Sequence, residues 1–285
     1  MPISDRLPSL AALALIGVAS LTGPASPGRA ETPDRVVSLN LCTDQMAMLL
    51  AAPGQLVSVS QLASDPRSSA YAEMARDLPH NRGSAEEIVL IDPDLVLAGT
   101  WTTRATVQML ERLGYRVEIF SPVTTLDEAR ANIARMGALL GRAEQADALL
   151  QDFDARRAAL ETTPDANSPR ALIYQARGYV AGANSLSGNL LTAAGLTNIA
   201  TERGLDFGGA MPLEALVMAD PDLILIGAPY GGHANATELL SHPALAKSGK
   251  LHILPEGAPM TCETPRLLDA LESLVSLRQT WETTQ

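Results

Sequence analysis

Residues 86–98 read Glu-Glu-Ile-Val-Leu-Ile-Asp-Pro-Asp-Leu-Val-Leu-Ala, and residues 214–226 read Glu-Ala-Leu-Val-Met-Ala-Asp-Pro-Asp-Leu-Ile-Leu-Ile. Both stretches run from a Glu through an apolar turn to Asp-Pro-Asp, then into a short apolar run. Glu86 stands seven residues ahead of Pro93, and Glu214 the same seven ahead of Pro221. Apolar residues at helical spacing (Ile88 and Ile91; Leu213, Leu216 and Val217) predict a short helix in each copy. The proline ends it, because it lacks an N–H and clashes with the preceding turn. The runs 95–97 and 223–226 then read as strands apolar on both faces, as a parallel sheet covered on both sides requires. A chain that does this twice is expected to fold as two similar α/β lobes.

Working outward, Arg35-Val-Val-Ser-Leu39 predicts a first strand, and strands follow at 56–59 and 116–120. Two capping boxes, Ser84-Ala-Glu-Glu87 and Thr125-Leu-Asp-Glu128, mark helix starts. Residues 142–161 contain no Gly or Pro and carry Ala146, Leu149, Leu150, Phe153 and Leu160 on a helical face. At about 1.5 Å per residue that helix is roughly 30 Å long, a span that suits a rigid connector between the halves. The second half restarts with a strand at 171–175, and Thr264-Pro265 predicts N-cap and N1 of a last helix. The expected organisation is residues 1–30 as an export signal, 31–124 as an N-terminal lobe, 125–162 as connecting helices, and 163–285 as a C-terminal lobe.

The 285 residues carry a net charge of −11 and a 46% hydrophobic content. That is enough apolar material for a sizeable core. It argues against a nucleic-acid partner, which needs a basic face. Residues 10–21 form an apolar stretch behind Arg6 that ends near small residues at Gly28 and Ala30. That pattern fits a cleaved signal, and the stretch is too short for the ~20 residues a membrane-spanning helix needs. The mature chain is therefore expected outside the cytoplasm and not embedded in a membrane. Its two cysteines, Cys42 and Cys262, lie in loops ahead of helices, one in each half. They pair across the halves or remain two thiols; the sequence leaves both open.

Ligands of open α/β sheets bind at the carboxyl ends of strands. The loops 40–43, 61–68, 99–103, 176–180, 227–233 and 255–263 are therefore the candidates. They hold Asn40, Leu41, Cys42, Ser64, Trp101, Thr102, Arg177, Tyr179, Tyr230, His233 and Met260, with Phe207 in a further loop. Aromatic residues with few charges are what a bulky solute needs. Catalytic motifs are missing: there is no Gly-x-Ser-x-Gly, phosphate loop or His-Glu-x-x-His. The scattered His80, His233, His242 and His252 predict no metal site. Glu86 and Glu214 are favoured by the helix dipole wherever they point. They would also give a pseudo-symmetric partner one carboxylate per lobe.

The Arg-Val-Val-Ser-Leu strand, the paired Glu…Asp-Pro-Asp-Leu repeats, the long connecting helix and the terminal Thr264-Pro265-Arg266 helix together resemble the helix-linked periplasmic binding proteins. These serve ABC importers of ferric siderophores, cobalamin and heme. The resemblance implies two Rossmann-like lobes, each with a mostly parallel sheet, joined by a single long helix and holding ligand between them. It implies a permease dimer with ATPase subunits as partner, docked through Glu86 and Glu214. It implies no cofactor of the protein's own, any metal arriving inside the ligand. Catecholate siderophores would call on Arg177 with Arg67 or Arg104. A corrinoid would call on Trp101, Tyr179, Phe207 and Tyr230. Heme would need Tyr179, Tyr230 or His233 as axial ligand. An iron chelate or corrinoid is the expected cargo, with heme as the alternative. Rival readings are an enzyme on a chelatase-like or nitrogenase-like bilobal fold, and a sensor without transport.

Overall fold

A computed structural model describes residues 32–228, 235–254 and 260–284. The export-signal expectation for residues 1–30, and the site candidates Tyr230 and His233, lie outside the described residues. In the first half, β1 (Val36–Ser38), α1 (Leu41–Leu50), β2 (Leu56–Ser60), α2 (Ala72–Ala75), β3 (His80–Asn81), α3 (Ala85–Ile91), β4 (Leu95–Gly99), α4 (Arg104–Arg112) and β5 (Val117–Phe120) follow in order. Their strands form one parallel sheet in the order β3-β2-β1-β4-β5. Next come α5 (Leu126–Leu139) and α6 (Ala143–Leu160). The second half contains β6 (Arg170–Ile173), β7 (Tyr179–Val180), α7 (Leu186–Ala193), β8 (Thr197–Asn198), β9 (Gly209–Ala210), α8 (Leu213–Ala219), β10 (Leu223–Ile226), α9 (Pro243–Ala246), β11 (Leu251–Ile253) and α10 (Leu267–Glu282). Its main sheet is parallel in the order β11-β10-β6-β8, with β7 and β9 as a small antiparallel pair.

The two halves repeat the same set of contacts around Asp-Pro-Asp. Asp92 and Asp220 close α3 and α8 in the left-handed region, at φ 51° and 45°. Asp tolerates that conformation better than most side chains do. Pro93 and Pro221 are buried behind them. The second Asp then pins the neighbouring strand: Asp94 Oδ2 accepts the Arg35 N–H (2.8 Å), and Asp222 Oδ2 accepts the Arg170 N–H (2.8 Å). The guanidinium of the same Arg turns back to the last carbonyls of the helix. Arg35 donates to Ile91 and Asp92, and Arg170 to Ala219 and Asp220. Carbonyls that no intrahelical N–H can reach are satisfied in this way. Registers agree as well, with Val36 beside Leu95 and Ala171 beside Leu223.

Alternation along β6 and β10 builds two cores in the second half. Ala171, Ile173, Leu223 and Leu225 face one layer; Leu172, Tyr174, Ile224 and Ile226 face the other. This is the period of two that a strand imposes. The helices α5 and α6 each enter both lobes. Ile133, Met136, Ala146 and Leu150 pack in the first lobe's core, while Leu126, Ala129 and Phe153 pack in the second's. The long helix thus has an antiparallel companion. Gly137 permits their close approach, since a Cβ there would collide with Ala146.

Several local expectations are corrected. The last helix starts at Leu267 rather than at Pro265, because Thr264-Pro265-Arg266 forms tight turns with Leu267 N–H donating to the Thr264 carbonyl (3.0 Å). In both capping boxes the hydroxyl accepts as expected: Glu87 N–H reaches Ser84 Oγ, and Glu128 N–H reaches Thr125 Oγ1. The returning carboxylates bind ahead of the cap instead, at the Arg82 and Thr124 N–H groups. The loop 176–184 contains β7, which pairing with β9 creates.

Candidate functional site

Cys42, in the first turn of α1 beyond β1, and Cys262, beyond β11, form a disulfide with Cα atoms 5.0 Å apart. It ties the first turn of α1, at the carboxyl edge of the first sheet, to the segment of the second half that runs from β11 to α10. Two further contacts converge on the same segment. Asn132 of α5 donates to Glu263 Oε1 (3.2 Å), and the Tyr71 phenol lies close enough to Thr264 and Arg266 to feel both. Cys262, Glu263 and Thr264 are all buried. Burial raises the Glu263 carboxyl and the Tyr71 phenol above their ordinary values.

On the first lobe, Asn40 caps α1, accepting from the Cys42 N–H (3.0 Å) and Thr43 N–H (3.4 Å). Its amide packs on Gly99, where a Cβ would come within 2.7 Å of Asn40 Nδ2. Thr102 Oγ1 accepts the Gly99 N–H (3.0 Å), closing the loop after β4. These bonds leave Trp101 standing out of that loop, 82% exposed. Ser64 is exposed in the turn after β2, and Leu41 is half-buried. Arg67 is engaged with Asp65 (3.2 Å).

Asp44 lies beneath this ledge, and reading the sequence for exposed ligand contacts missed it. It is fully buried in α1, with Oδ1 accepting the Ser60 N–H (3.1 Å) and Oδ2 the Ser60 hydroxyl (2.5 Å). Burial pushes its carboxyl up to about 6, against the opposing effect of hydrogen bonds from Ser38 and Ser60. The signal that could have found it is its place, one turn inside a helix that starts at the end of a central strand.

On the second lobe, Arg177, Tyr179 and Phe207 come together at the carboxyl end of β6. The Tyr179 hydroxyl donates to the Phe207 carbonyl (3.3 Å), and the β7–β9 pairing holds their loops side by side. Phe207 is 77% exposed. Arg177 is exposed and held at φ 58°, one of three non-glycine residues with positive φ among the described residues. The other two end repeated helices; this one spends backbone strain of about 1–2 kcal/mol at the cleft edge. Met260 is half-buried against the second lobe's core, at the foot of the clamped segment. Among the described residues, no group of three His, Cys, Asp or Glu could hold a metal ion, and no helix is long and apolar enough to cross a membrane.

Two parallel α/β lobes carried on shared helices make a bilobal α/β fold. The sequence profile described as periplasmic binding protein matches residues 36–252, and the chain belongs to that family. A cobalamin-binding protein of Halobacterium salinarum is 31% identical over 201 residues, which cover 68% of this chain and 54% of the relative. The chain thus spans about half the length of the curated relatives it matches. A periplasmic heme-binding protein from Pseudomonas aeruginosa superposes with a TM-score of 0.66 at 26% identity, covering 86% of this chain and 92% of the other. The vitamin B12-binding protein BtuF of Vibrio cholerae gives a TM-score of 0.61 at 18% identity, over 88% and 98% of the two chains. At that identity the likeness shows the fold alone.

Proposed function

We propose that this chain is the solute-binding component of an ABC importer, working in the periplasm after export, and that its cargo is a corrinoid of the cobalamin class. The observation that carries the cargo assignment is the pair of protruding aromatic side chains, Trp101 on one lobe and Phe207 on the other. Such faces stack on a broad, flat, mostly apolar solute. Charge argues against an anionic catecholate chelate. Of the three arginines a catecholate would call on, Arg67 is paired with Asp65, leaving Arg177 and Arg104 outside any ion pair among the described residues, and buried Asp44 adds negative charge beneath the first lobe's loops. The curated relative's name supports the same cargo. Heme is the second reading, favoured by the exposed phenol of Tyr179 beside Phe207. The reading is that of a carrier without turnover, with Glu86 and Glu214 as the permease-docking carboxylates.

Titration with cyanocobalamin and with hemin, followed by tryptophan fluorescence and by recovery of unaltered ligand, tests this. Of the two tryptophans, Trp101 is exposed while Trp281 packs against the second lobe's core. Saturable quenching by cyanocobalamin is expected, with Trp101→Leu and Phe207→Ala each weakening binding about tenfold or more. Binding of hemin alone, lost in Tyr179→Phe, moves the assignment to heme. Binding of neither removes the tetrapyrrole reading.

A further inference from the structure

The repeated helices carry a second matched pair besides their acids. Leu90, four residues beyond Glu86, is 88% exposed; Met218, four residues beyond Glu214, is 81% exposed. Residues four apart lie on one helical face, so each lobe shows a carboxylate with an apolar side chain one turn along. Val89 and Val217 beside them are exposed too, while Ile88 and Leu216 are fully buried. A single exposed Leu is unremarkable on any protein. Two at equivalent positions of a duplicated element, each beside the equivalent acid, form a repeated surface.

Both acids stand at the carboxyl edge of a sheet, each at the start of its helix, with the apolar side chain one turn further along. The chain passes from the carboxyl end of β3 at Asn81 almost directly into α3, which sets Glu86 at that edge of the first sheet. Glu214 lies in the first turn of α8, three residues beyond Met211, whose carbonyl accepts the hydroxyl of Tyr174 at the carboxyl end of β6 (2.9 Å). A partner that spans the carboxyl edges of both sheets therefore meets both acids at once, with an apolar side chain one turn along each helix. Because the patches are two copies of one surface, their complement is a dimer presenting one surface twice. Because each holds an unshielded acid, that surface is basic beside an apolar recess.

On the importer reading, we propose that Leu90 and Met218 are apolar anchors of the permease-docking surface, each seated in an apolar recess beside the basic side chain that takes up Glu86 or Glu214. Apolar anchors ringed by polar contacts carry most of the affinity in interfaces of this kind.

The test is affinity for the source cell's permease–ATPase complex in lipid nanodiscs, with cyanocobalamin affinity and thermal melting as controls. Leu90→Ser and Met218→Ser are each expected to weaken docking about tenfold, and the double variant more than thirtyfold. Melting and cyanocobalamin binding should stay at wild-type values, since both side chains are exposed. Added salt should weaken wild-type docking through the acids, leaving the fold-loss of the serine variants unchanged. If the double serine variant docks like wild type, the anchors are refuted and the importer reading stands. Should only one single variant matter, the two-copy match is refuted. If wild-type protein does not dock at all, the importer reading falls and takes the anchors with it.

Discussion

Asp44 is fully buried, yet its carboxylate holds both donors of Ser60 and so ties α1 to the end of β2. Its carboxyl sits at about 6 in the fold against an ordinary 3.8, so the fold prefers the neutral form. The stability that follows is fully present below pH 3.8 and is lost as pH rises through 6. Two pK units correspond to roughly 3 kcal/mol. Asp44→Asn keeps a side-chain carbonyl for Ser60 and does not titrate. Urea unfolding at pH 4 and pH 7.5 should therefore show wild type losing up to roughly 3 kcal/mol relative to the Asn variant. A pH-independent gap between the two would mean that Asp44 ionises normally. At this scale the sequence marked the protruding residues: Trp101 and Arg177 fall in loops after predicted strands, and Phe207 in a glycine-flanked loop of its own. It did not expose Asp44, because an acid in a helix reads as a solvated face until the sheet end above it is known.

The repeated element is held by bonds that local pattern makes only half visible. Asp-Pro-Asp announced a helix stop and a strand start. That the second Asp would take up the neighbouring strand's N–H, and that Arg35 and Arg170 would cap the preceding helices, depends on β1 pairing with β4 and β6 with β10. Asp222→Ala leaves the Arg170 N–H without its acceptor and is expected to cost about 1–3 kcal/mol. Asp94→Ala frees both the Asp34 and Arg35 N–H groups, but these are exposed and water replaces the acceptor, so it should cost less than Asp222→Ala. Differential scanning calorimetry of the two variants checks this, and a cost below about 0.5 kcal/mol in both would make the shared bonds incidental. The long periodic helices and the apolar runs of β4 and β10 were legible because many residues repeat one signal. The two-residue strands β3, β7, β8 and β9 were not, because two residues carry no period and only their partners make them strands.

At the scale of the molecule, the lobes are joined in more ways than one helix provides. Both α5 and α6 reach into both cores, and residues 262–264 add the disulfide to α1 and the Asn132–Glu263 bond to α5. The pairing of Cys42 with Cys262 could not be read from a separation of 220 residues; only the folded sheets bring the two together. Rotation of one lobe against the other would have to strain the covalent link between α1 and the segment after β11, so on the proposed function the lobes are held close to their ligand-bound arrangement beforehand. Solution scattering should then give a radius of gyration of about 18 Å that changes by less than about 0.5 Å on loading with cyanocobalamin. Cys42→Ser with Cys262→Ser should lower unfolding stability by about 2–5 kcal/mol. The same pair should weaken ligand binding without touching Trp101 or Phe207, because the cleft must then be ordered at the expense of binding energy. A loading-induced change of 2 Å or more in the disulfide-bonded protein would show that the lobes hinge despite the clamp. Unchanged ligand affinity in the serine pair would show that the link serves stability alone.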